Sequence, residues 1–299
     1  MARSLINIKV VTNVVGSLII ISGALMSLAI PISLYYKTND LFSLIISSVI
    51  TLFSGLLIKF STRSHKNDEV KKRDGYLIVA LGWVSMTLFG SLPYVVSGSI
   101  PDYSDAFFET ISGLTTTGAT ILEDIEAMPK GILFWRSMTQ WIGGMGIIVL
   151  TIAILPLLGI GGMQLFMAEA PGPSTDKLHP RISDTAKRLW LIYVTLTFSE
   201  FFLLKFAGMT WFDAINHAMA TMSTGGFSTK NSSVAFYNNL PFVQYIIILF
   251  MFIAGTNFVL TYFALKGKVK RVFESEEFKY YFYGVLGISA IIAITIIFF

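Results

Sequence analysis

Two stretches of this chain combine threonine or serine hydroxyls with glycine in a pattern suited to holding a cation. Residues 105–120 read DAFFETISGLTTTGAT, and residues 212–227 read FDAINHAMATMSTGGF. An ion that leaves water must exchange its hydration shell for other oxygens. Extended backbone near glycine can aim successive carbonyls at one point, and Thr or Ser adds hydroxyl oxygens. Glycine also allows backbone angles that a side chain would exclude. Setting Thr117-Gly118 on Thr224-Gly225 makes the two stretches match, with the upstream Asp-Ala pairs one residue out of step. Either tripeptide alone reads as an ordinary exposed turn. Two copies, each after a short amphipathic segment, read as a repeated site.

The elements that must position these stretches are membrane helices. Of 299 residues, 54% are hydrophobic and only 13% charged, about half the charged share of a soluble domain. Runs of roughly 20 apolar residues can each span a bilayer. Seven such runs occur: 10–35, 41–60, 76–98, 133–158, 189–207, 242–265 and 280–299. The first is too long for a signal-peptide core, so it counts as a retained helix. Each Thr-Gly stretch lies between two runs and is too polar to span. Span, half-helix, Thr-Gly turn and span therefore repeat once, in parallel. A half-helix entering from outside points its C-terminal, negative pole at the turn, which favours a cation.

Basic residues set the orientation. Of the 22 Lys and Arg, a cytoplasmic N-terminus puts 17 inside and leaves Lys37, Lys130, Arg136, Lys205 and Lys230 outside, as the positive-inside rule favours. The basic stretches 66–73 and 266–271 are topology signals and lipid-headgroup contacts. Nucleic acid is not an expected partner, since no long basic run or recognition motif occurs. Cysteine is absent, which removes disulfides and thiolate metal sites. His65, His179 and His217 have no metal-site spacing, and no convergent acid, base and nucleophile suggests an enzyme.

Taken together, the runs FETISGLTTTGAT (108–120), TQWIGGMGIIVL (139–150), TMSTGGFS (221–228) and FIAGTNF (252–258) resemble the TrkH-type membrane subunits of the Trk/Ktr potassium-uptake superfamily. The resemblance implies an all-α polytopic fold, with about seven transmembrane helices and two re-entrant pore helices. It also implies that carbonyls around Thr116, Thr117, Ser223 and Thr224 coordinate potassium, with Thr115, Gly118, Gly225 and Gly226 shaping the filter. No cofactor is expected beyond the transported potassium ion. The implied setting is the inner membrane, as a homodimer on a cytosolic nucleotide-binding ring, surrounded by lipid.

The expected organisation is two N-terminal helices (1–74), a first repeat (75–168), a connector (169–188), a second repeat (189–272) and the first helix of a third (273–299). The family has four repeats, so the chain reads as truncated, with half a filter. A sodium- or proton-coupled symporter and a non-conducting piece that only joins an intact subunit are the alternatives.

Other polar residues complete the picture. Acidic residues on the outer side include Asp102, Asp105, Glu123, Asp124, Glu126 and Asp213. They are read as a cation-gathering vestibule, chiefly Glu123, Asp124 and Glu126, or as ordinary loop charge. Glu109 is expected to pair with loop backbone or with Arg136, and His217 to hydrogen-bond behind the filter. Glu200, inside a span, is by default a candidate for proton or sodium coupling; its place in the outer half of the helix favours a structural role, reaching the interface or Lys205. The glycines at 143–146 and 159–162 are expected to serve close helix packing, and the Pro- and Gly-rich connector to be a structured turn.

Overall fold

The long apolar runs satisfy their own backbone groups as helices, the solution a bilayer demands. The computed structural model describes residues 6–62, 72–158 and 178–298, and all regular elements among them are helical. Helices α1 (Ile8–Met26) and α2 (Ala29–Tyr36) run on as one apolar stretch of 29 residues. Helix α3 (Leu41–Ser61) returns beside it, and small residues at Gly16, Gly23 and Gly55 let the two backbones approach. Helices α4 (Lys72–Gly90) and α5 (Leu92–Val96) follow, joined at Ser91. Then come α6 (Tyr103–Leu114), α7 (Lys130–Leu158), α8 (Leu178–Phe206) and α9 (Trp211–Met222). A 3-10 turn, Ser233–Tyr237, precedes α10 (Pro241–Ala254), α11 (Phe258–Leu265), α12 (Val269–Glu274) and α13 (Glu276–Phe298).

Five of these stretches are long and apolar enough to cross a membrane, or six if α10 and α11 count as one span. The run expected at 242–265 is not straight. α10 and α11 meet at 108° across Gly255-Thr256-Asn257; Gly255 closes the first helix, and Asn257 caps the next by accepting from the Val259 amide at 2.9 Å. Helix α7 contains the expected run 133–158 and is continuous over 29 residues. The connector expected as a turn through residue 188 becomes helical at Leu178, with Pro180 in the first turn of α8, where no amide donor is needed. Its earlier part and the segments 66–71 and 159–162 lie outside the described residues.

A buried carboxylate ties the N-terminal helices to the first repeat. Asp40 is fully buried. Its Oδ1 accepts from the Ser33 and Thr38 hydroxyls at 2.6 Å each, and its Oδ2 accepts from the Ile132 amide at 2.8 Å. That amide lies in the first turn of α7, where donors lack helical partners and negative charge is favoured. The central core gathers around α7, with Trp135, Leu133, Met138 and Ile142 packed among Leu114, Tyr94 and Met219. Helix α7 packs against both short helices, α6 and α9.

Candidate cation site

Helices α6 and α9 are built alike. Each has 12 residues and an N-cap side chain: Asp102 accepts from the Ser104 and Asp105 amides, and Thr210 from the Asp213 amide. Each is too short to span a bilayer, and each ends in the same turn. Thr115 and Ser223 close the helices, and Thr116 and Thr224 follow in the left-handed region, both at φ +55°. The Thr116 amide donates to the Gly113 carbonyl and the Thr117 amide to the Ser112 carbonyl, both at 2.9 Å. The Thr224 and Gly225 amides donate at the same distance to the Thr221 and Ala220 carbonyls. Gly118 and Gly226 then take φ +76° and +81°.

This geometry corrects the register. Thr116 corresponds to Thr224, Thr117 to Gly225 and Gly118 to Gly226, so the two Thr-Gly pairs are one residue out of step and the Asp-Ala pairs are in step. Sequence matching paired Gly118 with Gly225, yet the first left-handed position lies elsewhere in each loop. Threonine holds it in both loops, at a cost of roughly 1–2 kcal/mol for a residue bearing Cβ. A β-branched side chain in that region is a genuine outlier. The same unusual conformation in both loops is a property of the site.

The loops meet each other and α7. A Cβ on Gly118 would overlap the Gly225 carbonyl oxygen, and one on Gly143 of α7 would overlap the Leu114 carbonyl. Gly144 lies against Ser223. The glycines expected to serve helix–helix packing therefore seat the ends of both half-helices. Arg136 of α7 is buried, and its Nε donates to Glu109 Oε1 at 2.6 Å. A second guanidinium nitrogen donates to the Ser228 carbonyl at 3.1 Å, and the group lies 3.5 Å from the centre of the Phe227 ring. One cation thus joins half-helix one to loop two. Gln140, a turn further on, accepts from the Phe227 amide at 3.1 Å.

Behind each loop, one side chain of the half-helix reaches forward. Glu109 accepts from the Thr120 hydroxyl at 2.9 Å and the Ile121 amide at 3.0 Å. At the corresponding place in α9, His217 Nε2 meets the Ser228 hydroxyl at 3.0 Å, and Nδ1 meets the Asp213 carbonyl at 2.8 Å. A carbonyl only accepts, so Nδ1 carries the proton. Both contacts match the expected roles of Glu109 and His217.

Of the residues expected to coordinate the ion, Thr117 and Thr224 are exposed, Thr116 is half-buried and Ser223 is buried; of those expected to shape the filter, Thr115 and Gly226 are exposed, Gly118 is half-buried and Gly225 is buried. The Thr115 and Thr117 hydroxyls hydrogen-bond each other at 2.8 Å, and the Ser223 hydroxyl donates to the Ala220 carbonyl at 3.0 Å. These hydroxyls brace the turns. A cavity of about 280 Å³ opens beside loop two, lined among others by Thr221, Thr224, Gly226 and Met251.

The outer acidic residues divide. Asp124 accepts from the Asn231 amide group at 2.9 Å, while the Ile125 amide donates to the Asn231 side-chain oxygen at 2.7 Å, clasping the two loops. The hydrogen bond from Asn231, helped by backbone amides, holds the Asp124 carboxyl below the usual aspartate range. Glu126 lies 3.8 Å from Lys230, and Glu123 is exposed. Asp102 is an exposed helix cap, whereas Asp213 is buried on the Thr210 and Thr229 hydroxyls and does not belong to an open vestibule. Sequence reading missed Asn231 and Gln140. A glutamine inside an otherwise apolar run was the signal available for the second.

A family profile described as "TrkH: Cation transport protein" matches residues 41–288. The chain belongs to this family. Relatives include the Trk system potassium uptake protein TrkH of Escherichia coli K12, 44% identical over 268 residues, covering 89% of this chain and 55% of that protein. TrkH of Halomonas elongata is 38% identical over 293 residues, covering 97% of this chain and 60% of that protein. The crystal structure of the potassium transporter TrkH from Vibrio parahaemolyticus superposes with a TM-score of 0.76 at 35% identity, over 93% of this chain and 55% of that one. The chain thus spans little more than half the length of these TrkH relatives.

Proposed function

We propose that this TrkH-family chain contributes two pore loops to a potassium-uptake pathway in the cytoplasmic membrane. The observation that carries the reading is the pair of loops with one backbone geometry, packed together at Gly118 and Gly225 against a shared helix. Repetition of the same left-handed threonine in both loops suits a ring of carbonyls around one axis. The oxygens offered to the ion are the backbone carbonyls around Thr116, Thr117, Ser223 and Thr224. Thr115, Gly118, Gly225 and Gly226 set the shape. A closed ring needs oxygens beyond these two loops, from further repeats or another copy of the chain.

In this reading the ion sheds water at the outer face, is held by fixed carbonyl dipoles and moves inward down its electrochemical gradient, with no covalent step. The half-helix dipoles favour a cation at the turn. The N-terminus lies in the cytoplasm, and the cytoplasmic face meets a nucleotide-binding ring, with two copies side by side. The test is rubidium uptake by potassium-uptake-deficient cells that express the protein together with its Trk partners. Uptake that potassium competes and sodium does not supports the reading; equal competition by sodium would contradict it.

A further inference from the structure

Helix α8 carries a carboxyl group that the pore loops do not use directly. Glu200 is fully buried at 0% exposure, and neither carboxyl oxygen has a hydrogen-bond partner among the described residues. It reaches neither the interface nor Lys205, whose Nζ donates to the Met209 carbonyl at 3.3 Å and lies over Trp211. Thr221, in the last turn of α9, is a polar side chain near Glu200. The first repeat has no counterpart, since no acidic residue occurs between Asp74 and Asp102.

Helix α8 packs on α7, α9, α10 and α11, and the charged or titratable groups on these elements are engaged elsewhere or exposed. On α9, Asp213 is held by Thr210 and Thr229, and His217 by Ser228. On α7, Arg136 is held by Glu109, and Lys130 lies over Phe212. Tyr193 of α8 donates to the Trp141 carbonyl, Tyr262 of α11 accepts from Arg188, and Tyr245 of α10 is exposed.

An ionised Glu200 would therefore stand uncompensated in apolar surroundings. It would also lie beside the negative pole of α9. A neutral acid avoids both costs. Thr221 is a joint of the second loop: its carbonyl accepts the Thr224 amide at 2.9 Å, the bond that closes the left-handed turn.

We propose that Glu200 is a proton-binding site behind the second pore loop: the neutral acid packs beside Thr221, and loss of the proton sets an uncompensated charge against the turn at Thr224. Glu200 is thus a positioning residue, and it makes one loop of the pair responsive to alkaline pH. The consequence for transport rests on the potassium-uptake reading; the proton site does not.

Infrared difference spectroscopy on the lipid-reconstituted protein, wild type against Glu200→Gln, reads the proton directly. The expected result at neutral pH is loss of one protonated-carboxyl C=O band in the variant, and in the wild type conversion of that band to carboxylate in alkali. In cells, Glu200→Gln mimics the neutral acid. It should keep neutral-pH rubidium uptake within twofold and abolish the decline that the wild type shows as pH rises. Glu200→Ala should lower uptake severalfold at every pH. Identical infrared spectra in the protonated-carboxyl region, or the same pH profile in wild type and Gln variant, would overturn the proposal. A wild type without uptake would count against the transport reading and leave the infrared result decisive for the proton site.

Discussion

The two pore loops share a backbone and differ in what supports it. Loop one is braced by charge: Glu109 holds its Thr120 hydroxyl and Ile121 amide, and Arg136 neutralises Glu109. At the corresponding places loop two uses an imidazole and an amide, His217 on the Ser228 hydroxyl and Gln140 on the Phe227 amide, with Asp213 further along on the Thr229 hydroxyl. Both nevertheless place threonine at φ +55° and glycine two residues later at positive φ. The conformation is thus the common requirement, and the supports behind it are free to differ. Arg136 is the exception to that independence, since it touches Glu109 behind loop one and the Ser228 carbonyl in loop two.

Removing Arg136 should therefore break both loops at once and give the largest effect. Arg136→Met strands a buried carboxylate, a loss of about 3–5 kcal/mol for a buried pair. The thermal midpoint of the purified protein should fall clearly, while Glu109→Gln combined with Arg136→Met should recover part of the loss. A double variant no better than the single one would show that the pair is not coupled. A middle-sized effect should come from the left-handed threonines. Thr116→Gly and Thr224→Gly each relieve roughly 1–2 kcal/mol of strain, so thermal stability should hold or rise slightly while ion discrimination falls, read as potassium against sodium competition for rubidium uptake. If only one of the two variants behaves this way, the loops are less equivalent than their backbones.

The smallest effect belongs to the outer clasp. The Asp124 carboxyl is held below the ordinary aspartate range by Asn231. Its contribution is complete above that ordinary range and is lost as pH falls through the depressed value. Amide hydrogen exchange at Ile125 should therefore show faster loop opening, after correction for intrinsic rates, only in strong acid, and Asp124→Asn should remove the transition. An unchanged transition in that variant would place its cause elsewhere.

Most of the fold was legible because long apolar runs have one solution in a bilayer, and the half-helices were legible from their amphipathic spacing and following Thr-Gly. The register was not. A reader places glycine where φ must be positive, and this chain puts Thr116 and Thr224 there. The bend at Gly255-Thr256-Asn257 was hidden because the flanking residues keep the run apolar, although Asn257 is a good helix cap. The partners of Glu200 and Asp213 were hidden for another reason. Which way a side chain on a helix faces depends on how the helices pack, and pattern alone assigned Glu200 to the interface and Asp213 to solvent.

The account rests on the two loops forming one cation path, and Gly118 is where they touch. Any side chain there meets the Gly225 carbonyl, and a carboxylate would also place a charge among the ion-facing oxygens. The most direct measurement is rubidium uptake by potassium-uptake-deficient cells carrying Gly118→Asp, with insertion and amount in the membrane matched to wild type. The account predicts uptake at the level of cells without the protein; uptake equal to wild type would contradict it.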